Sequence, residues 1–314
     1  MKKYCFGVDI GGTTVKIGLF TIDGNIIDKW EITTNKENAG SNILSDISKS
    51  LTDKLEQKGL SKDEIEGIGI GVPGPVDANG TVLNCVNLGW GVFNVAKEVT
   101  RLTGIENVKA GNDANVAALG EMWLGGGKGY HDMIMITLGT GVGGGVIHDG
   151  KIITGTKGAA GEIGHMVVNY EEEDSCNCGK KGCLEQYASA TGVVKVAKRL
   201  LANSKKESAI RNRENLSAKV IFDAAKAGDE LAMECVDKLG WYLGTACANI
   251  AAVVEPDVFV IGGGVSKAGA ILLDVIQRHY EKYAFHAHKA KEFKLAELGN
   301  DAGIVGAAKL VITN

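Results

Sequence analysis

The stretch that decides the fold is YCFGVDIGGTTVKIGLFTIDGNIIDKWEITT, residues 4–34. It reads as an apolar run to Asp9, a Gly11-Gly12-Thr13-Thr14 turn, the run VKIGLFTI, a turn at Asp23-Gly24 and a third run. Asp-Gly between alternating apolar runs signals a hairpin, because a two-residue turn of the right twist needs positive φ. Residues 132–154, DMIMITLGTGVGGGVIHDGKIIT, repeat the scheme. A run leads to the turn Gly139-Thr140-Gly141, a second run, a turn at Asp149-Gly150 and a short third run. The chain thus reads as two similar halves, each opening with three antiparallel strands.

Helix and strand alternate after each triplet. In the first half the spacing predicts helices over 41–58, 92–103 and 113–124 and strands over 65–71 and 107–110. In the second it predicts helices over 187–203, 218–227, 230–253, 267–283 and 302–312, with strands over 257–261 and near 293–297. Ser217, Asp229 and Ser266 read as N-caps, and Gly228 and Pro256 as stops. Small residues at Gly240, Gly244, Ala246 and Ala248 mark close packing of the long helix, not chemistry. The class is α/β with two domains. The expected division is 1–112 with the C-terminal helix of about 302–314, and 113–301, with a ligand cleft between them.

Composition excludes several classes of function. The 314 residues are 45% hydrophobic and 23% charged, with a formal net charge of -4, and the basic residues are scattered. A nucleic-acid or anionic-membrane surface would need them clustered. No apolar run approaches the roughly 18 residues of a membrane span, and Asp9 interrupts the N-terminal run too early for a signal peptide. Seven cysteines, an odd number, argue for reduced thiols in a cytoplasmic protein and not for a disulfide framework. The 44 glycines cluster at turns.

Three clusters carry candidate chemistry. At Asp9-Ile10-Gly11-Gly12-Thr13-Thr14 the glycines leave backbone N–H groups open to a phosphate oxygen, and Asp9 is placed to face a hydrated Mg²⁺. The echo at Gly139-Thr140-Gly141 supports that reading. Gly262-Gly263-Gly264 lies between a strand and a helix, where a ring or phosphate approaches backbone. Two literal G-x-G-x-x-G matches, at 69–74 and 139–144, fail as dinucleotide fingerprints because no helix follows either. Asp113, after the strand NVKAG, reads either as an N-cap or as a catalytic carboxylate. Cys176, Cys178 and Cys183 in a short glycine-bent loop look like three zinc ligands, with His165 the nearest upstream fourth; such a Cys₃His set is structural. Glu162 and Glu185 flank it as acceptors suited to a polyhydroxylated ligand, or as surface acids. Cys5, Cys85, Cys235 and Cys247 read as core.

Taken together, these motifs resemble the ROK family of repressors and kinases, over essentially the whole chain, and most closely its glucokinase branch. The matching segments are DIGGTTVK (9–16), GVPGPVD (71–77), NLGW (87–90), NDAN (112–115), LGTGVGGG (138–145), GEIGH (161–165), CNCGKKGCLE (176–185) and IGGGVS (261–266). The resemblance implies an actin/hexokinase-like fold with a duplicated ribonuclease H-like core. It implies ATP-dependent phosphorylation of the 6-hydroxyl of glucose, or else of another hexose such as fructose, allose, N-acetylglucosamine or N-acetylmannosamine; the lesser alternative is a non-catalytic sugar-sensing regulator, which would be expected to lack the base or the phosphate turns. Asp113 would be the base, and Asn87, Asn112, Glu162, His165 and Glu185, with Asp113, the sugar ligands. Asp9, Gly11, Gly12, Thr13, Lys16, Thr140 and Gly141 would line the phosphates, and Gly263 and Gly264 the adenosine. His165, Cys176, Cys178 and Cys183 would hold zinc, and Mg²⁺ would accompany ATP. No nucleic-acid or membrane partner is expected, and a homo-oligomer, dimer or tetramer, is. ROK repressors carry a helix-turn-helix before DIGGT; only eight residues precede it here, which favours a kinase. An unperturbed Asp titrates near about 3.9, so Asp113 would be ionised at neutral pH and ready to accept the sugar proton.

Overall fold

The computed structural model describes residues 2–312; residue 1 and residues 313–314, at the ends of the expected domain ranges, lie outside the described residues. The chain opens with β1 (Tyr4–Ile10), β2 (Thr14–Thr21), β3 (Ile26–Thr33), a one-turn α1 (Glu37–Gly40), α2 (Ile43–Lys58) and β4 (Ile65–Val72). Then come β5 (Thr81–Val82), β6 (Phe93–Asn94), α3 (Val95–Thr103), β7 (Val108–Asn112) and α4 (Asp113–Leu124). The second series is β8 (Met133–Leu138), β9 (Val142–His148), β10 (Lys151–Ile152), α5 (Glu185–Ala188), α6 (Ala190–Asn203), α7 (Ala218–Lys226) and α8 (Glu230–Val254). It ends with β11 (Val258–Gly262), α9 (Ala270–Tyr283), β12 (Glu292–Leu295) and α10 (Ala302–Val311).

Two five-stranded sheets share one order: β3-β2-β1-β4-β7 and β10-β9-β8-β11-β12. In the first, β1–β2 and β2–β3 are antiparallel, while β1–β4 and β4–β7 are parallel. In the second, β9–β10 is antiparallel and β8–β11 and β11–β12 are parallel. The duplication read from the two Asp-Gly turns is therefore a duplication of sheet topology. Asp149 and Gly150 both take positive φ, 49° and 69°, as that turn type demands. This is the actin/hexokinase-like architecture.

Among the described residues the backbone forms two compact units: residues 2–129, 145–161 and 298–312, and residues 130–144 and 162–297. In the first unit the apolar sides of β1, β2 and β4 bury Phe6, Val8, Ile17, Ile68 and Ile70 against Ile47 and Leu51 of α2. The opposite side takes α10 from the other end of the chain. Gly7 and Gly69 allow it to come so close that a Cβ on either would overlap the Ile304 or Ala307 carbonyl. Gly306 does the same for α10 against Val116 of α4. In the second unit α8 lies on α9, and Gly240 and Gly244 face Val275 and Ile276 so tightly that no Cβ fits. This is the close packing that the small-residue spacing indicates. Phe259, Tyr280 and Phe293 fill the neighbouring core, with the two phenyl rings stacked at 4.9 Å.

Helix starts differ most from the sequence reading at three places, each for a local reason. The helix expected over 92–103 begins at Val95, because Asn94 accepts from Lys97 N at 2.7 Å and caps it. The helix expected over 187–203 is two, α5 and α6, separated by Ser189, whose Oγ accepts from Gly192 N at 2.9 Å. The helix expected to start after Ser266 starts at Ala270. Ser266 instead lies in a 3₁₀ turn over 264–268, with its hydroxyl spent on Gly263 O at 2.7 Å. Ser217 and Asp229 do cap α7 and α8 through Val220 N and Ala232 N. Cys5, Cys85, Cys235 and Cys247 are buried.

Candidate active site

The first unit carries Asp9, Gly11, Gly12, Thr13, Lys16, Asn87, Asn112 and Asp113. Asp9 is the last residue but one of β1, and Asp113 opens α4. In the sheet one strand, β4, separates β1 from β7, which leads into α4, and it runs parallel to both. Burial pushes the Asp9 carboxyl up to about 6, the nearby Asp113 charge adds to the rise, and Lys16 opposes it. Asp9 fits there because residue 303, at the start of α10, is glycine: a Cβ would stand 2.5 Å from Asp9 Oδ2. Lys16 Nζ also reaches Asn300 O at 3.4 Å.

Asn112, not Asp113, is the N-cap of α4. Its Oδ1 accepts from Ala114 N at 3.1 Å and Asn115 N at 3.2 Å. Its amide nitrogen donates to Gly74 O and to Asp113 Oδ1, at 3.2 and 3.0 Å. Asp113 Oδ1 accepts a second bond, from Ala114 N at 2.8 Å. The carboxylate is thus oriented by its neighbours in the helix's first turn, where the macrodipole favours negative charge. Asn87 is exposed on a 3₁₀ turn whose ends are tied by Cys85 and Trp90. At the turn after β1, Gly11 N donates to Thr14 O at 3.0 Å. The Thr34 hydroxyl donates to Gly11 O at 2.8 Å.

The second unit carries Thr140, Gly141, Glu162, His165, Cys176, Cys178, Cys183, Glu185, Gly263 and Gly264. His165, Cys176, Cys178 and Cys183 present ligand atoms that all lie within 4.8 Å of one another. Cys178 Sγ and Cys183 Sγ are 3.6 Å apart, and Cys176 Sγ is 3.8 Å from His165 Nδ1. Metal–sulfur bonds of about 2.3 Å in a tetrahedron have edges of about 3.8 Å, so the donor set fits a tetrahedrally bound soft cation. Glu185 follows directly. One of its oxygens accepts from Val142 N at 3.0 Å, and the other is 3.8 Å from Cys176 Sγ. Glu162 is exposed at the head of the turn that carries His165.

Gly263 takes φ 82° and backs onto Leu138, with a Cβ position 2.5 Å from the Leu138 carbonyl. Beside it a cavity of about 320 Å³ is lined by Ala190, Ser217, Lys219, Phe222, Gly264 and Lys267, among others. Ala190 also donates its N–H to Gly139 O at 2.8 Å, so the cavity and the 139–141 turn share a wall. The sequence reading missed Thr34, Ser189, Ala190, Thr191 and Gly303, which shape these turns without belonging to a motif. The trace in the sequence is the type of residue, hydroxyls at element ends and a glycine in the first turn of a helix, while Ala190, which acts through its N–H, leaves none.

The ROK family profile matches residues 5–314. The chain belongs to the ROK family. Among curated ROK relatives, a glucokinase from Halalkalibacterium halodurans is 45% identical over 98% of this chain and 95% of its own length. A xylose repressor from Caldicellulosiruptor bescii is 30% identical, covering 98% of this chain and 78% of its own. Among solved structures, a ROK glucokinase from Streptomyces griseus in complex with glucose and AMPPNP is 34% identical. It superposes with a TM-score of 0.74 over 98% of both chains. Among the described residues no helix is long and apolar enough to cross a membrane.

Proposed function

We propose that this ROK chain transfers the γ-phosphoryl group of ATP to the 6-hydroxyl of glucose, giving glucose 6-phosphate and ADP. The observation that carries this reading is the 45% identity with a glucokinase across 98% of the chain. The shared wall between the 320 Å³ cavity and the 139–141 turn supports a nucleotide there, with its base in the cavity and its phosphates at the turn.

The roles follow from the chemistry of each group. An alcohol is a poor nucleophile, so Asp113 accepts its proton as the oxygen attacks phosphorus in line. Asn87, Asn112, Glu162, His165 and Glu185 hold the sugar hydroxyls. Of these, Asn112 acts by aiming the Asp113 carboxylate as well. Gly11, Gly12, Thr13, Thr140 and Gly141 offer N–H and hydroxyl donors to phosphoryl oxygens, and Lys16 adds a positive charge. Gly263 and Gly264 leave room for the adenosine. Mg²⁺, when bound with ATP, supplies charge neutralisation on the phosphates, and Asp9 would face its hydration shell. Zn²⁺ held by His165, Cys176, Cys178 and Cys183 would supply rigidity, because four protein ligands leave no open position for water. The same proposal places the protein in the cytoplasm as a homo-oligomer. Asp113 belongs to the first unit and the metal loop to the second.

The test is ADP release over a hexose panel with ATP, polyphosphate or no donor. ATP with glucose is expected to give the highest kcat/KM. A higher value for another hexose would reassign the substrate, and turnover of none would remove the kinase reading.

A further inference from the structure

The 139–142 turn is held by a set of hydrogen bonds that orients its peptide planes one by one. Gly139 O accepts from Ala190 N at 2.8 Å, and Thr140 O accepts from the Thr191 hydroxyl at 2.9 Å. Gly139 N donates to Gly141 O at 2.9 Å, and Val142 N donates to Glu185 Oε2 at 3.0 Å. Behind these bonds stands Ser189, fully buried, which donates to Glu185 O at 2.6 Å and lies 3.0 Å from Thr191 Oγ1. A trans peptide is planar, with its C=O and the following N–H pointing in opposite directions. Fixing the carbonyls of Gly139 and Thr140 on the start of α6 therefore aims the N–H groups of Thr140 and Gly141 away from it, side by side. Two adjacent N–H groups presented together form an anion-binding concavity.

We infer that Thr191 is a positioning residue for phosphoryl transfer, aiming the Gly141 N–H at the nucleotide phosphates through its hold on the Thr140 carbonyl. The first turn uses the same device: the Thr34 hydroxyl donates to Gly11 O at 2.8 Å, which turns the Gly12 N–H the other way. Two threonines outside the glycine motifs thus clamp the two halves' corresponding turns. The Thr191 clamp also ties the turn to the thiol cluster, since Glu185 and Ser189 belong to the segment that begins at Cys183. The inference rests on the proposal that residues 139–141 meet phosphate. Glu185 is unsuitable as its test, being assigned to the sugar as well; Thr191 is exposed, and its hydroxyl meets the Thr140 carbonyl and Ser189 Oγ.

The test compares wild type with Thr191→Val, which keeps shape but loses the donor, and Thr191→Ser, which keeps the donor. Affinities for ATP and for adenosine are measured by calorimetry, with melting temperature as a check on folding. Thr191→Val is expected to weaken ATP by about two- to tenfold, the worth of one hydrogen bond, with adenosine unchanged and Thr191→Ser near wild type. An unchanged ATP affinity, or an equal loss for ATP and adenosine, overturns the inference. Amide NMR shifts of Thr140 and Gly141 in wild type separate the two layers. If ADP moves them no more than adenosine does, the turn does not meet phosphate and the underlying reading fails first. If ADP moves them and Thr191→Val still binds ATP normally, the positioning role alone is wrong.

Discussion

At the scale of single residues, Asn112 and Asp113 divide between them the two readings that one acid had in the sequence. Asn112 caps α4 through two backbone N–H groups, while Asp113 Oδ1 accepts from Asn112 Nδ2 and Ala114 N. Capping and catalysis are therefore not in competition at residue 113. Asp113→Asn is expected to lower kcat by about two to four orders of magnitude, the share of a general base, with glucose affinity preserved. Near-normal turnover would remove Asp113 from the chemistry. Asn112→Ala should cost about 1 kcal/mol of stability for the lost cap, and it should lower kcat as well, because the carboxylate loses the amide donor that aims it. The ambiguity was not resolvable from the sequence, since Asn and Asp are equally good caps and the helix start was uncertain by a residue.

At the scale of elements, the segment between His165 and α5 is held by a buried charge. Glu172 is buried and meets Arg199 of α6 in two bonds of 2.7 and 2.6 Å, and it accepts from the Tyr187 hydroxyl at 2.5 Å. The Arg199 guanidinium holds the Glu172 carboxyl far below the usual carboxylate range. A folded-state value below the unfolded value of about 4.3 stabilises fully above that pH, and the gain is lost as pH falls toward the folded value. Stability of the wild type should thus decline below about pH 4 more steeply than that of Glu172→Gln, in denaturant titrations across pH 2–7. At neutral pH that variant should lose about 2 kcal/mol, less than a fully buried pair because Arg199 is 43% exposed. In the adjoining loop, Cys178→Ser should lower zinc per chain by elemental analysis and weaken glucose binding. Full zinc with unchanged affinity would contradict the ligand set.

At the scale of the molecule, the first unit depends on both ends of the chain. α10 lies against β1, β4 and α4, and it does so because residues 7, 69 and 306 have no side chain. Gly69→Ala would drive a methyl into the Ala307 carbonyl. Overpacking against backbone has no rotamer to relieve it, so a loss of at least about 3 kcal/mol is expected from the denaturation midpoint. Gly12→Ala, whose Cβ would meet nothing within 4 Å, should leave stability within about 0.5 kcal/mol. Equal effects of the two substitutions would show that the α10 contact is not the constraint.

The sequence by itself determined the duplicated topology, the helix–strand order and the grouping of three thiols with an imidazole. The reason is that these are local: apolar period, Asp-Gly turns and ligand spacing act over a few residues. Even there, helix starts at 95, 190 and 270 depended on caps and 3₁₀ turns that pattern alone does not rank. Tertiary structure decided that residue 303 must be glycine for Asp9 to fit. It decided equally that Thr34 and Thr191 clamp turns 23 and 51 residues away in the chain. Such contacts join groups distant in sequence through hydrogen bonds and excluded volume, and no period or motif records them. The resemblance to one family named the residues at the site; only the folded chain shows what holds their backbone in place.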